Sequence, residues 1–460
     1  MSLVAPASAA ASEAPDEWDR RAEKYVRFVE RTRGLEFEHP VRVRFLEDAA
    51  FRKAARAWYD DTTDDDRKLA AQESDDLLAL GLVTEGFDPI EASADSDEFG
   101  TLGWYDQERK EMVIRGTDVE VTEVKLTVVH ELTHALQDQH FDLSELDSHA
   151  RTSGEYAALG AVIEGDATLV EREFLWSLPE KARDAYWADV AAYEDGATAP
   201  EGDVPASWPL VYDLWSAFDY DLAPTALEVA IAAHGRRHVD DLFRSPPRSE
   251  EAILDPVALE EDDEPVPVRL PPFARGEEPR GPADEWGAYS WYLVLASRIP
   301  WPQALAAVEG WGGDRFRSYV QTVDGVERGC VRIAVVGDTA RDTLELDTAI
   351  TSWAESMPRG AAQVASTDDR VVLSACATGT APTSADDAMQ TAYDRLWERT
   401  DGMWYLTDRL FPPNTYSLCV ADALVADPVA QPLVSSEDEL TRREQRTLEE
   451  RTDELARDCS

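Results

Sequence analysis

Lysine is nearly absent. Of 44 basic residues only six are lysine (Lys24, Lys53, Lys68, Lys110, Lys125 and Lys181), and the other 38 are arginine. Long apolar runs are missing too. None approaches the ~18 residues that a membrane-crossing helix needs, so no transmembrane segment is expected. Cysteine occurs four times, at Cys330, Cys376, Cys419 and Cys459, and never as CxxC, which argues against a cysteine zinc site. Positive charge is heavily outweighed, 44 Lys+Arg against 93 Asp+Glu, for a net −49. That field repels nucleic acid and anionic membrane surfaces and excludes both as partners. What is present is a folded chain. Hydrophobic residues make up 43% of 460, including 14 Trp, 14 Tyr and 13 Phe, too apolar for disorder and long enough for two or three domains.

Acids spread along the whole chain, with arginine in place of lysine, are the composition of a halophile protein. Molar salt shrinks the Debye length to about 3 Å, so the self-repulsion is tolerated. The first 17 residues are rich in Ala, Ser and Pro and lack a basic or apolar signal region, which reads as a flexible tether. Two settings follow: a surface or extracellular protein whose export signal is absent from this chain, or a cytoplasmic protein with a loose end. Cys376 and Cys419 lie in strand-like stretches and could form one disulfide if the chain is exported, or stand as free buried thiols.

Periodicity predicts an α+β chain. Residues 18–33 read as a helix, 41–45 as a strand and 49–82 as two helices. Residues 102–105 and 112–115 form a hairpin around a polar turn. Thr122 opens a helix to about 140, and the capping box Thr152–Glu155 opens another to about 178. Residues 181–243 read as helical with a break at 197–209, and 244–285 as irregular. Helices are expected at 286–299 and 302–322, the second containing the turn Gly310–Gly313. Strands at 329–336 and 370–376 flank a helix at 342–356. A box at Ser436–Glu439 heads a charged, solvated terminal helix. The domains expected are a tether (1–17), a core (18–180), a mainly helical lobe completing the cleft (181–325), a small α/β lobe (326–430) and the terminal helix (431–460).

One motif carries chemistry. His130-Glu-Leu-Thr-His134 is HExxH, placed after the apolar run 126–129. A helix advances 100° per residue, so His130 and His134 stack one turn apart and can share a Zn²⁺ at about 2.0–2.1 Å. Glu131 beside them would act as general base. A catalytic zinc needs a third protein ligand. His140 stands ten residues after His130, the spacing of HExxHxxGxxH. That pattern turns the chain at a glycine seven residues after the first histidine, where this sequence has Gln137. If the helix continues, His140 lies about 15 Å along the axis and faces elsewhere. Glu164 is the better candidate, because a carboxylate among Ala157, Ala158, Leu159, Ala161, Val162 and Ile163 must be paired or bind metal. Gly165 and Ala167 would let its helix approach the HExxH helix closely.

Two histidines of HExxH with a glutamate on a following helix resemble the gluzincin metallopeptidases, of which thermolysin-like enzymes are examples. More specifically, His130–Leu143 (HELTHALQDQHFDL) with Glu164–Val170 (EGDATLV) resembles a family of haloarchaeal and bacterial surface proteins with gluzincin-like motifs. Further matches are Pro246–Glu251 and Gly310–Arg315. The resemblance implies a zincin-like core: a small sheet whose edge strand, 102–105 or 112–115, runs above one Zn²⁺ per chain, packed on two active-site helices. In gluzincins a group four residues after the glutamate ligand often bonds a zinc histidine. Here that position is Thr168, with Asp166 and Glu171 as alternatives.

The function expected is zinc-dependent hydrolysis of a peptide or protein substrate. Tyr156, Tyr289 and Arg315 are candidates for the second oxyanion donor, and main-chain pairing with the edge strand would position the substrate. The alternative is a non-catalytic zinc-binding surface module with a partner-binding C-terminal lobe. Oligomeric state is not readable. The negative field should disfavour acidic peptides.

Overall fold

The computed structural model describes residues 14–194, 208–255, 264–323, 325–367, 369–377, 386–407, 414–434, 436 and 440–459. The chain is α+β and divides into two units. One comprises 1–70, 88–150 and 166–208, the other 71–87, 151–165 and 209–460.

The first unit opens with helix α1 (Arg20–Arg33). Asp19 caps its N-terminus, and Gly34, with φ 71°, ends it by donating to the Glu30 carbonyl. Ala22, Tyr25, Val26, Val29 and Arg33 form its buried stripe. The others join a hydrophobic cluster, but Arg33 brings a charge into it. Strand β1 (Arg42–Leu46) follows, then α2 (Asp48–Arg56), α3 (Asp64–Leu80, whose residues from 71 on belong to the second unit), α4 (Pro89–Phe99), β2 (Gly103–Asp106) and β3 (Glu111–Arg115). The sheet order is β1-β3-β2, with β1 parallel and β2 antiparallel to β3. Of the two strands that could have formed the edge, the one expected at 102–105 does so, and β3 is central and buried. Met112 and Ile114 face the cluster shared with Val128, Val129, Leu132 and Leu136 of α5 (Thr122–Phe141). From Val124 to Asp138 nearly every residue of α5 is buried, so this helix shows no amphipathic stripe. It stops at Asp142, whose φ of 52° is left-handed and whose carboxylate caps α6 (Leu143–His149). Helix α7 (Ser153–Ser177) runs through both units, and α8 (Glu180–Glu194) closes the first. Thr152 Oγ1 accepts from the Glu155 amide as expected, but Glu155 turns its carboxylate to Arg151 and Arg248.

The second unit contains α9 (Leu210–Ala217), a π-helical turn (Phe218–Leu222), α10 (Ala223–His234), α11 (Arg237–Arg244), α12 (Glu251–Leu254), β4 (Glu277–Pro279), α13 (Ala288–Ala296) and α14 (Trp301–Val308). Then come β5 (Trp311–Val323), β6 (Val326–Gly337), α15 (Ala340–Ser356), β7 (Ala362–Thr367) and β8 (Arg370–Cys376). The antiparallel sheet has the order β4-β5-β6-β8-β7. Helices α16 (Asp386–Thr407), α17 (Thr415–Ala426), α18 (Gln431–Val434) and α19 (Arg442–Leu455) complete it.

Several expectations are corrected. The helix at 302–322 is α14 followed by a long strand. At Gly313 (φ 144°) a Cβ would come within 2.6 Å of the Val266 carbonyl oxygen, so the strand cannot carry a side chain at this irregular step in its pairing with β6. Beyond it, pairing with β6 outweighs helix propensity. The domain line expected at 325/326 falls in the turn between these paired strands. The break expected at 197–209 lies mostly outside the described residues, as do Glu437–Glu439 of the expected terminal cap. Helix α19 is instead capped by a Thr441–Glu444 box. It is not solvated all round, because Leu448 and Thr452 are buried and Leu448 joins the cluster of α16 and α17. The disulfides are Cys330–Cys376 and Cys419–Cys459, not Cys376–Cys419. Cys330 and Cys376 stand opposite each other on β6 and β8. Cys419 is on helix α17, whose buried Val420, Ala421, Leu424 and Val425 repeat at helical spacing.

Candidate metal centre

Helix α5 places His130 and His134 one turn apart, both buried, with Nε2 atoms 3.0 Å from each other and rings at 79°. Glu164 of α7 joins them. One oxygen of its carboxylate and one nitrogen from each ring lie within 4.8 Å of one another, a group that can hold a metal ion.

The outer nitrogens explain why. His130 Nδ1 is 3.0 Å from Glu171 Oε2, and His134 Nδ1 is 3.0 Å from Gln137 Oε1. A carboxylate and an amide oxygen only accept, so each Nδ1 carries the hydrogen. Two Nε2 lone pairs are then turned towards one point. The 3.0 Å between the two Nε2 atoms is a distance that a shared proton or a metal ion beside them can bridge. Two ligand bonds of 2.0–2.1 Å at a tetrahedral angle would separate the nitrogens by about 3.3 Å, a few tenths beyond the separation found. The donor set therefore fits a small divalent ion.

Glu131 is buried beside the histidines. Edge strand β2 crosses it at Gly103, where a Cβ would be 3.1 Å from Glu131 Oε1 and 2.6 Å from Thr127 Cγ2. Only a residue without a side chain lets the strand come this close.

The remaining candidates divide. Glu171 bonds His130 directly. Asp166, fully buried, accepts from Gln137 Nε2 at 2.9 Å and from Arg33 Nε at 2.8 Å, and so reaches His134 through Gln137. Thr168 has a buried hydroxyl with no hydrogen-bond partner, so it does not orient a histidine. Tyr289 is corrected: its hydroxyl donates to the Leu214 carbonyl at 2.6 Å and its ring stacks on Phe218, so it belongs to the core. Arg315 donates to the Ala283 carbonyl, and Tyr156 is 43% exposed. His140 stays on α5, which continues past Gln137, and meets the Glu36 carbonyl at 2.8 Å. Gly165 meets α10. A Cβ there would be 3.0–3.1 Å from Leu227 and Ala223 of α10.

Sequence reading missed three residues. Gln137 is one helical turn beyond His134, a spacing that could have suggested contact. Arg33 continues the apolar stripe of α1 as a charge, which is the signal of a buried partner. Asp219, on the π-helical turn, has no pattern to mark it. Its carboxylate lies 3.7–3.8 Å from the Cβ position of Gly160, one turn before Glu164. Burial, and then the Glu164 charge, push its pKa well up. Burial likewise pushes Tyr186 of α8 up to about 12, assisted by Glu171 and Glu123.

No family model, curated protein or solved structure matches the chain.

Proposed function

We propose that this chain is a gluzincin-like zinc metallopeptidase with a zincin-like core. His130, His134 and Glu164 would hold one Zn²⁺. The metal would supply Lewis acidity to a water and to the scissile carbonyl. Glu131 would accept the proton of the attacking water and return it to the leaving amine. Strand β2, at the edge of its sheet, would pair with an extended peptide by main-chain hydrogen bonds.

The observation that carries this reading is the division of labour on one helical turn. His130 and His134 turn lone pairs to a common point together with Glu164, while Glu131 lies between them in sequence and under the edge strand. A purely structural zinc site has no use for a general base there. This favours the enzyme over a non-catalytic surface module. Both disulfides suit an oxidising compartment, which supports a surface or extracellular setting, and the −49 charge supports high salt.

The test is Glu131→Gln in molar salt. Peptide hydrolysis should be abolished while elemental analysis still finds about one zinc per chain. A wild-type protein that takes up no zinc, or a variant that still cleaves, sinks the proposal.

A further inference from the structure

Strand β2 turns one face to Glu131, and its other face carries aromatic rings that the proposed chemistry does not use. Pairing with β3 fixes which residues lie where. The Leu102 carbonyl accepts from the Arg115 amide at 2.8 Å, and the register continues as Gly103↔Ile114, Trp104↔Val113 and Tyr105↔Met112. Hydrogen-bonded and non-hydrogen-bonded pairs alternate in an antiparallel ladder. Trp104 therefore bonds inward to β3, while Gly103 and Tyr105 turn their amides and carbonyls outward. No described strand pairs with β2 on that outer side. Side chains alternate as well. Gly103 lies over Glu131, and Leu102 and Trp104 lie on the opposite face.

That opposite face is a built apolar ledge. Phe51 of α2 is fully buried, Trp104 packs on it with ring centroids 4.8 Å apart, and Trp58 meets Trp104 edge-on at 4.7 Å. None of these rings belongs to the cluster that packs α5 against the sheet. Trp58 is 39% exposed and Leu102 38%. Trp58 sits in the turn Ala57–Tyr59, which is tied to α4 on both sides of the indole. Arg56 Nη1 donates to Asp95 at 2.8 Å, and the Tyr59 hydroxyl donates to Asp97 at 2.6 Å. A partly exposed ring is thus held in place at an unpaired strand edge. Ordering it in advance lowers the entropy cost of any contact made to it.

We propose that Trp58, Trp104 and Leu102 form a side-chain subsite on the far face of the edge strand, and that it selects extended peptides with two large apolar residues two positions apart. The proposal rests on the reading, given above, that β2 pairs with a peptide. A peptide residue paired with Gly103 points its side chain to the Glu131 face. Its two neighbours point to the other face, one opposite Trp104 and its partner Trp58, the other opposite Leu102. Directly paired residues bring their Cβ atoms to about 4.5–5.5 Å, within reach of the indoles. The pattern is the same for either direction of the peptide. Main-chain pairing alone is indifferent to sequence, and the ledge supplies the preference that it lacks.

The probes are blocked decapeptides of Ser and Gln carrying two Phe two positions apart, two Phe side by side, or two Ala two positions apart. Cleavage is measured as kcat/KM on the full-length, zinc-loaded chain in molar salt. Binding to the metal-free chain is followed by the indole N–H resonances of Trp58 and Trp104. The peptide with Phe two apart should be cleaved about 10-fold better than the other two, the size of one good aromatic contact, and the gain should lie mainly in KM. Trp58→Ala removes an exposed ring, leaves Trp104 on Phe51, and should bring the three peptides to the same kcat/KM. Trp58→Phe should restore the preference. Equal cleavage of all three by the wild type overturns the subsite, as does a Trp58→Ala protein that keeps the preference. If the wild type cleaves none of them, the metallopeptidase reading falls and binding alone decides the subsite. Shifts of both indole signals by the peptide with Phe two apart, and not by the other two, then support it. Equal shifts by the side-by-side peptide, or no shifts at all, overturn it.

Discussion

Gly103→Ala is the smallest change that separates the edge strand from Glu131. The added Cβ would lie 2.6 Å from Thr127 Cγ2, 3.1 Å from Glu131 Oε1 and 3.1 Å from the Val113 carbonyl oxygen, against an ordinary carbon–carbon contact of about 3.5–4.0 Å. Thr127 cannot swing aside cheaply, because it is β-branched on a helix and its hydroxyl donates to the Glu123 carbonyl at 2.9 Å. Val113 is held in the centre of the sheet. The strain must therefore move β2 outward by roughly 1 Å or displace the Glu131 carboxylate. Overpacking of this kind costs about 1–3 kcal/mol of stability. A 1 Å misplacement at a reacting group costs on the order of 100-fold in rate. The assay pairs chemical denaturation with kcat and KM on a peptide substrate, with zinc content measured in parallel. The variant should lose kcat more than it raises KM and should keep its zinc. Adding Thr127→Ser, which removes the closest methyl and keeps the hydroxyl, should return part of the stability. A Gly103→Ala protein with wild-type stability and kcat would refute the close approach, as would a loss that merely tracks loss of zinc.

Glu164→Ala should lose most of the bound metal by elemental analysis while His140→Ala keeps it; the reverse would favour His140 as the third ligand. Replacing Cys419 and Cys459 by serine removes a crosslink spanning 40 residues and should cost about 4 kcal/mol in denaturant unfolding by the loop-entropy relation; no change would mean the pair is not formed in solution. Burial, and then the charges of Asp314, Glu250, Asp284 and Glu155, push Glu285 up to about 8 from an ordinary 4.5. A raised carboxyl favours the folded state fully below its unfolded pKa and loses that contribution as pH rises through the folded value. Stability should therefore decline between about pH 4.5 and 8, and Glu285→Gln should flatten that decline in pH-dependent unfolding; an unchanged slope would dismiss Glu285 as its source.

Helices α1, α7 and α15 and the β2–β3 hairpin were legible because their apolar spacing or capping residues are local. Strand β5 was not. Its residues alternate weakly, and only pairing along β6 and the irregular step at Gly313 made it a strand. The donor trio was readable because HExxH sets two ligands on one helical turn and Glu164 stands out on an apolar stretch. Asp219 was not, since an aspartate on a π-helical turn carries no spacing of its own.

By itself the sequence determined the charge, the absence of an apolar span, the one-turn spacing of the HExxH histidines and the preference for Glu164 over His140. These depend on composition and on helical geometry over a few residues. The tertiary structure alone decided the cysteine pairs, the edge position of β2, the core role of Tyr289 and the partners of each imidazole. A hydrogen bond is a matter of ångströms between side chains, and Arg33 and Asp166 are 133 residues apart along the chain. No local pattern encodes that distance; only the packing of α1, α5 and α7 closes it.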